Sequence, residues 1–223
     1  MLRRITAPYA WVEAFAYDRV IAPALKPFQE AAFSGWVEAL PLSASVLDVG
    51  CGGGQLLAAL AQRRPDLKLS GIDLAPSQVR RARRRIAATA HDAEVLHGSA
   101  AALPFSDGRF DLVTSVASIK HWSDPARGVF ECVRVARPGG RVVVVEADRG
   151  CRYEDALRFV ATWTPPGPPR LVSLAFFRTF IAGRSPDVDE ARVLGEKSGL
   201  ADLEARRLPG LPAWVLTGRR ASD

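Results

Sequence analysis

A run of glycines directly after a short apolar stretch is the first feature of this sequence that could support ligand chemistry. Residues 46–49 have the composition of a buried strand with one acid, Asp48, and residues 50–54 contain four glycines. Glycine adopts positive φ angles and lets a ligand approach the backbone without an intervening Cβ atom. A helix predicted from about residue 54 would direct free N–H groups at whatever the loop holds. The stretch therefore predicts a strand–loop–helix ligand site, and we call residues 50–54 the glycine loop.

A second acid lies where a nucleoside site would place one. Asp73 ends the next apolar stretch, 23 residues after Gly50, and a carboxylate there can accept hydrogen bonds from both hydroxyls of a ribose. A dinucleotide fingerprint, G-x-G-x-x-G/A, requires a small third residue, but Gln55 occupies that position. Asp48 would also repel a pyrophosphate, whereas it suits an ammonium group. These residues favour S-adenosylmethionine (AdoMet) over NAD(P) as the ligand.

His121 is the candidate general base. It follows the fourth predicted strand on the ligand side, and imidazole exchanges protons near neutral pH. A local packing role is the alternative for His121. We expect Lys120 to be solvent-exposed and Cys51 to be a small filler of the loop, because no base adjoins this thiol in sequence.

The elements that must position these residues alternate along one chain of 223 residues, a length typical of a single α/β domain. Strands are predicted at 45–49, 68–73, 93–97, 110–115 and 141–146, with helices between them. Such alternation indicates a doubly wound parallel sheet. Pro209-Gly210 predicts a final antiparallel hairpin. Two helices are predicted within residues 7–40, the second reaching Leu40, and a turn is predicted at residues 138–140. A rigid linker is predicted at residues 165–169 and a helix start at residues 187–190. The predicted layout is one domain with a helical flap (1–41), a ligand-binding core (42–148), a helical lid (149–185) and a C-terminal helix and hairpin (186–223).

Charge and composition exclude several classes. The net charge of +6 comes largely from arginine, with the densest run at residues 80–85. Because Val79, Ala82, Ile86 and Ala90 share one helical stripe, we interpret the arginines as its solvated face and not as a nucleic-acid site. No apolar run approaches the length of a membrane span, and Glu13 and Asp18 argue against an export signal.

The cysteines are few and far apart. Cys51, Cys132 and Cys151 predict neither a disulfide framework nor a metal site. They favour a reducing cytoplasm as the location.

Five motifs together resemble the class I AdoMet-dependent methyltransferases, particularly their small-molecule branch. They occur in family order and at family spacing across about residues 45–147: VLDVGCGGG (46–54), GID (71–73), LPF (103–105), FDLV (110–113) and RPGG (137–140). The resemblance implies a Rossmann-like, seven-stranded sheet that is mostly parallel with an antiparallel C-terminal hairpin. It also implies AdoMet as cofactor.

The resemblance assigns roles to individual residues. The methionine part of AdoMet would lie on the glycine loop, with Asp48 near its ammonium group and Asp73 on its ribose. Leu74 would lie against the adenine face. Tyr9 and Tyr17 resemble tyrosines that close over AdoMet in relatives, with simple packing as the alternative. The remaining predicted cofactor contacts are Gly50, Cys51, Gly52, Gln55, Gln78, Gly98, Ser99, Ala100, Ser115 and Val116. Ser99 departs from the family, because relatives often have an acid there.

The methyl acceptor is predicted to be a small molecule with an apolar or aromatic body. The lid carries many aromatic residues, which indicate either an apolar pocket or a small satellite core: Tyr153, Phe159, Trp163, Phe176, Phe177 and Phe180. The sequence at 115–118 lacks the motif of enzymes that methylate exocyclic base nitrogens. A catalytically silent AdoMet-binding protein and an NAD(P)-dependent oxidoreductase are the competing interpretations. The oligomeric expectation is a monomer or a homodimer.

Overall fold

A seven-stranded sheet forms the centre of the molecule. The computed structural model describes residues 25–33, 35–89, 91–163 and 169–222. Its strands are β1 (Ser45–Val49), β2 (Lys68–Asp73), β3 (Ala93–His97), β4 (Phe110–Val116), β5 (Ala136–Ala147), β6 (Leu200–Arg207) and β7 (Ala213–Arg220). They lie in the order β3-β2-β1-β4-β5-β7-β6.

Helices cover this sheet. In the described part of the chain they are α1 (Lys26–Phe33), α2 (Gln55–Arg63), α3 (Pro76–Ala87), α4 (Pro125–Val135), α5 (Tyr153–Ala161), α6 (Arg170–Phe176) and α7 (Val188–Lys197). A 3₁₀ turn follows β4 at Ile119–His121. A π-helical turn at Phe177–Ile181 continues α6.

Strand direction confirms the predicted fold class. β1, β2, β3, β4 and β5 pair in parallel, whereas β7 pairs antiparallel with both β5 and β6. The chain leaves β1 towards β2 on one side and returns to β4 on the other. The switch point of the sheet therefore lies between β1 and β4, where ligands of open α/β folds bind.

The valines of β5 show why residues 142–145 of this strand are all apolar. Val143 and Val145 belong to the hydrophobic cluster that contains α1, α2 and α3, whereas Val142 and Val144 belong to the cluster that contains α4. Side chains of a strand alternate between the two faces of its sheet. A strand covered on both faces must therefore be apolar at every position.

The structure differs from the predicted elements at two places. The second N-terminal helix was predicted to reach Leu40, but α1 ends at Phe33 and the chain turns at Gly35, whose φ is +82°. Residues 138–140 were predicted as a turn before β5. They bulge within β5 instead, because Ala136 pairs with Phe110 while Arg141 pairs with Leu112.

The remaining predictions concern the first N-terminal helix, the proline linker, the apolar stripe of α3 and membrane-spanning helices. The predicted first helix and most of the proline linker lie outside the described residues. Of the predicted apolar stripe of α3, Val79, Ala82 and Ile86 are buried, and Ala90 lies outside the described residues. Among the described residues, none of the helices has the length and apolar character needed to cross a membrane.

Candidate functional site

The glycine loop is fixed to β2 by its own backbone. The N–H groups of Gly50 and Cys51 both donate to the carbonyl of Ile72, at 2.8 and 3.0 Å. Gly50, Gly52 and Gly54 have φ angles of +74°, +52° and +77°, a region that side chains disfavour. The loop therefore keeps one backbone shape between the ends of β1 and β2.

Gly50 and Gly52 differ in the space that a side chain would have. A Cβ atom on Gly50 would lie 1.7 Å from Ser118 Oγ, whereas one on Gly52 would meet no atom within 4 Å. Gly50 is thus required by the close approach of the segment that follows β4. Gly52 presents bare backbone to open space, as a ligand contact requires.

Asp73 holds the loop and the start of α3 together. One of its carboxylate oxygens accepts from the Gly52 N–H at 2.9 Å, and the other accepts from the Ala75 N–H at 2.8 Å. Burial raises the pKa of Asp73, against the lowering effect of these two hydrogen bonds. A carboxylate has about four acceptor positions, so these bonds leave capacity for two hydroxyl groups of a ligand.

Asp48 is buried without a counter-charge from any described residue. Its residue is 2% exposed, and among the described residues no donor pairs with its carboxylate. Burial, followed by the nearby charge of Asp73, raises the pKa of Asp48 to about 8. An unpaired acid in such a position gains stability from a cation beside it, and a ligand ammonium group supplies one.

The expected adenine side of the site lies at the ends of β2 and β3. Leu74 is 64% exposed there although it is apolar. The Ser99 hydroxyl accepts from the Ala101 N–H at 3.2 Å, so its oxygen already shapes the turn. Ala100 is half-buried in the same turn. Gly98 is in close contact with Ile72, since a Cβ atom there would lie 2.8 Å from the Ile72 side chain.

Two buried polar atoms near the loop have no partner in the described part of the chain. They are Ser115 Oγ, near the end of β4, and Gln78 Oε1, on the first turn of α3. A Cβ atom on Gly53 would lie 3.4 Å from Gln78 Oε1, so this oxygen borders the glycine loop. Val116 ends β4 beside Ser115 and is half-buried. Together with the unpaired Asp48, these atoms fit a ligand that carries several hydrogen-bond donors.

Arg85 is a site residue that sequence reasoning missed. Its guanidinium donates to the Gly53 carbonyl at 2.6 Å. Arg83 similarly donates to the Val95 carbonyl, at 2.7 Å from its terminal nitrogen. The arginines of α3 were predicted to form its solvated face, and both of these residues are exposed. The sequence did not predict that their long side chains also reach back to the backbone of neighbouring segments.

His121 lies on the 3₁₀ turn after β4. Crowding by protein atoms, followed by the positive charges of Lys120 and Arg184, lowers its pKa to about 3. The residue is nevertheless exposed to solvent. The imidazole is neutral at pH 7, and its lowered pKa makes it a weaker base than a free histidine.

Lys120 is buried, contrary to expectation. Its side chain is 5% exposed and forms a salt bridge of 2.9 Å with the fully buried Glu146 at the end of β5. Its ammonium also donates to the Ala117 carbonyl at 2.7 Å. These contacts join the turn that carries His121 to β5.

Cys51 packs inside the loop. A Cβ atom on Gly71 would lie 3.0 Å from its sulfur, and burial raises the pKa of Cys51 well above that of a free thiol. A neutral, buried thiol is unreactive, in line with a filling role. Gln55 begins α2 directly after Gly54, which has the left-handed conformation of a helix boundary.

The aromatic residues of the lid divide into an inner and an outer group. Phe159 stacks on Phe28 of α1 at 5.3 Å and contacts Phe177 at 5.2 Å, forming a satellite core. Phe176, Phe180 and Tyr153 are exposed instead. Tyr9 and Tyr17 lie outside the described residues, so their contact with a cofactor stays a prediction.

Comparison with known proteins agrees with this geometry. Residues 47–144 match the family model of a methyltransferase domain. The chain is 39% identical over 101 residues to the demethylmenaquinone methyltransferase of Thermus thermophilus, across 45% of this chain and 46% of that protein. It is 32% identical over 185 residues to the 2-methyl-6-phytyl-1,4-hydroquinone methyltransferase of Synechocystis, across 82% of this chain and 56% of that protein. The chain thus spans about half the length of these curated relatives.

Solved structures of methyltransferases also resemble the fold of this chain. A candidate AdoMet-dependent methyltransferase from Methanococcus maripaludis superposes with a TM-score of 0.71, covering 100% of this chain and 99% of that one. The sequence identity is 15%, so this likeness concerns the fold alone.

Proposed function

The chain belongs to the class I AdoMet-dependent methyltransferases, and we propose that it transfers a methyl group from AdoMet to a small acceptor with an apolar or aromatic body. The observation that carries the proposal is the pair of acids around the glycine loop. Asp48 is buried without a donor among the described residues, and Asp73 fixes the loop while retaining free acceptor positions. An adenosine ligand with an ammonium group satisfies both acids.

The residues that would hold AdoMet come from the ends of four strands, β1, β2, β3 and β4. The glycine loop and Asp48 would take the methionine part, with Ser115 on its far side. Asp73 would bind the ribose. Leu74, Ser99 and Ala100 would border the adenine, and the unpaired Oε1 of Gln78 is a further acceptor beside the loop. Arg85 would act indirectly, by fixing the Gly53 carbonyl.

The protein's own contribution to the reaction is alignment and proton acceptance. When bound, AdoMet supplies a methyl group activated by its sulfonium, so the protein chiefly has to bring the acceptor atom into line with it. His121 is the proposed acceptor of a proton from an acceptor hydroxyl or amine; its imidazole is neutral at pH 7, but its lowered pKa makes it a weaker base than a free histidine. The Lys120–Glu146 salt bridge positions the turn on which His121 lies.

An apolar or aromatic acceptor is supported by the names of the matched relatives. Matched relatives are named as methyltransferases of demethylmenaquinone, tocopherol and a phytyl hydroquinone, each a ring compound with a large apolar part. We propose a phenolic or quinol-like ring as the acceptor class. The layout into flap, core and lid and the monomeric or dimeric state stay predictions.

Calorimetric titration combined with a turnover assay tests the proposal. We expect AdoMet and S-adenosylhomocysteine to bind and NAD to give no heat of binding, since Gln55 blocks the dinucleotide fingerprint. Methyl transfer is then followed with radiolabelled AdoMet over a panel of hydroquinones, catechols and aromatic amines. Binding of NAD without AdoMet would refute the proposal. Cofactor binding without turnover on any acceptor would favour a catalytically silent AdoMet-binding protein.

A further inference from the structure

The outward side of α6 and the turn after it is apolar. Four large apolar residues of this segment are exposed, and we call them the lid face: Leu171 (70%), Val172 (54%), Phe176 (43%) and Phe180 (50%). On a helix of 3.6 residues per turn, Leu171, Val172 and Phe176 share one side. Ser173, Leu174 and Phe177 are buried on the opposite side. An exposed helix normally has polar residues on the side that faces solvent. The lid face is apolar instead, and this difference requires an explanation.

The segment is firmly attached to the protein through its inner side. Phe177 is fully buried and contacts the Phe159 ring at 5.2 Å. Phe176 contacts the ring of Trp163, and it stacks on Phe180 at 5.4 Å. The lid face is therefore held on a packed support, and contiguous exposed apolar patches of this kind mark interaction sites.

The charges within the segment that carries the lid face have a single sign. Residues 169–185 contain three arginines, Arg170, Arg178 and Arg184, and no aspartate or glutamate. All three arginines are exposed. Arg184 lies over the Phe180 ring at 5.6 Å, so positive charge and aromatic surface are adjacent.

We propose that the lid face docks on the surface of a lipid bilayer containing anionic lipids. Leucine and phenylalanine side chains partition into the boundary between headgroups and acyl chains, while neighbouring arginines bind the lipid phosphates. A second copy of the chain is the less suitable occupant. Two lid faces in contact would bring two arginine sets of like charge together, with no acid in residues 169–185 to neutralise them.

The position of the lid face relates this docking to the candidate site. The charge of Arg184 acts on His121, so the end of the lid lies near the candidate base. A docked protein would hold its site close to the lipid phase. The docking itself does not depend on methyl transfer, because it is a binding property of the lid surface.

Vesicle co-sedimentation tests the inference on the full chain. The two probes are vesicles of phosphatidylcholine alone and vesicles of phosphatidylcholine mixed with phosphatidylglycerol. We expect binding to the mixed vesicles to be stronger by about 100-fold, the factor that three arginines confer near an anionic surface. High salt should reduce it. Equal binding to both vesicles, or binding to neither, would overturn the inference.

Matched variants locate the surface. The double variant Leu171→Asp/Phe176→Asp and the variant Arg170→Glu should each lose at least about tenfold in binding to the mixed vesicles. Leu42→Asp, at an apolar position that is 83% exposed outside the lid, and Arg84→Glu, on the exposed side of α3, should bind like the wild type. Thermal unfolding shows that each variant is folded. If the lid variants bind like the wild type, the surface is wrongly assigned. If they instead dissociate a dimer in sedimentation velocity and vesicles do not bind, the occupant is a second copy.

Discussion

Replacing Asp48 with asparagine is expected to stabilise the ligand-free protein at neutral pH and to abolish its response to AdoMet. Asp48 is 2% exposed, and burial and the charge of Asp73 raise its pKa from 3.8 to about 8. Asparagine has nearly the same shape but does not ionise. The substitution Asp48→Asn therefore removes the cost of keeping this buried acid protonated at neutral pH and, with it, the partner of a ligand ammonium group.

The magnitude follows from linkage between protonation and folding. Because the pKa of Asp48 is raised in the folded state, its contribution to stability is complete below pH 3.8 and is lost as the pH rises towards 8. One pKa unit corresponds to about 1.4 kcal/mol, so the loss is on the order of 5 kcal/mol across that range. The unpaired amide of the variant costs about 1–3 kcal/mol at every pH. The pH dependence, rather than the stability at one pH, is therefore the diagnostic quantity.

Urea unfolding of both proteins across the range from about pH 4 to about pH 8 measures this difference. The stability of Asp48→Asn relative to the wild type should rise with pH by several kcal/mol. Asp66→Asn is the matched control, because the pKa of Asp66 is shifted in the opposite direction. Its hydrogen bond to Arg64 lowers the pKa of Asp66, so the wild type loses this contribution only below the free value of 3.8. The stability of Asp66→Asn relative to the wild type should therefore stay nearly constant between about pH 4 and about pH 8. Parallel pH curves for the wild type and Asp48→Asn would refute the reasoning.

The ligand arm of the same experiment uses S-adenosylhomocysteine, which retains the ammonium group. It should raise the thermal midpoint of the wild type but leave that of Asp48→Asn unchanged. Binding to the wild type at pH 7 should also release protons, because an adjacent ammonium draws the carboxyl into its ionised form. Buffer-dependent binding enthalpy detects this release. Equal heats in buffers of different ionisation enthalpy would contradict it.

Three further site predictions concern the ribose acid, the loop packing and the candidate base, and a fourth concerns Arg85. Asp73→Ala should weaken AdoMet binding by about 1–3 kcal/mol, the scale of lost charge-assisted hydrogen bonds; an unchanged calorimetric Kd would show that the ribose assignment is wrong. Gly50→Ala should destabilise the protein, since the new Cβ atom would lie 1.7 Å from Ser118 Oγ at a φ of +74°. Adding Ser118→Gly should restore part of the loss in urea unfolding, and no recovery would assign the whole effect to φ strain. His121→Ala should lower kcat more than cofactor affinity, whereas equal turnover would exclude His121 as a base. Arg85→Leu should weaken cofactor binding more than Arg84→Leu does, since only Arg85 is seen to fix the loop carbonyl; equal affinities would remove its positioning role.

Local patterns predicted the strands well because burial dictates their composition. β1, β2 and β3 have the predicted limits, and the capping box of α7, with Asp187 and Glu190, marks a helix start that the sequence had indicated. The predicted extent of α1 was wrong. Val37 is buried although it lies in a turn, and its spacing from the apolar residues before it is the same as in a helix. An apolar residue reports burial and does not by itself report the backbone conformation that produces it.

The sequence by itself determined the fold class, the family and the glycine loop of residues 50–54, because apolar runs, glycine and turn residues act over a few positions along the chain. Tertiary structure alone decided which charges meet. Asp48 and Asp73 are brought side by side by the pairing of β1 with β2. Lys120 is buried against Glu146 from another strand, and Arg85 reaches the glycine loop across 32 positions of sequence. Such contacts depend on distance in space, for which residue type and spacing carry no signal.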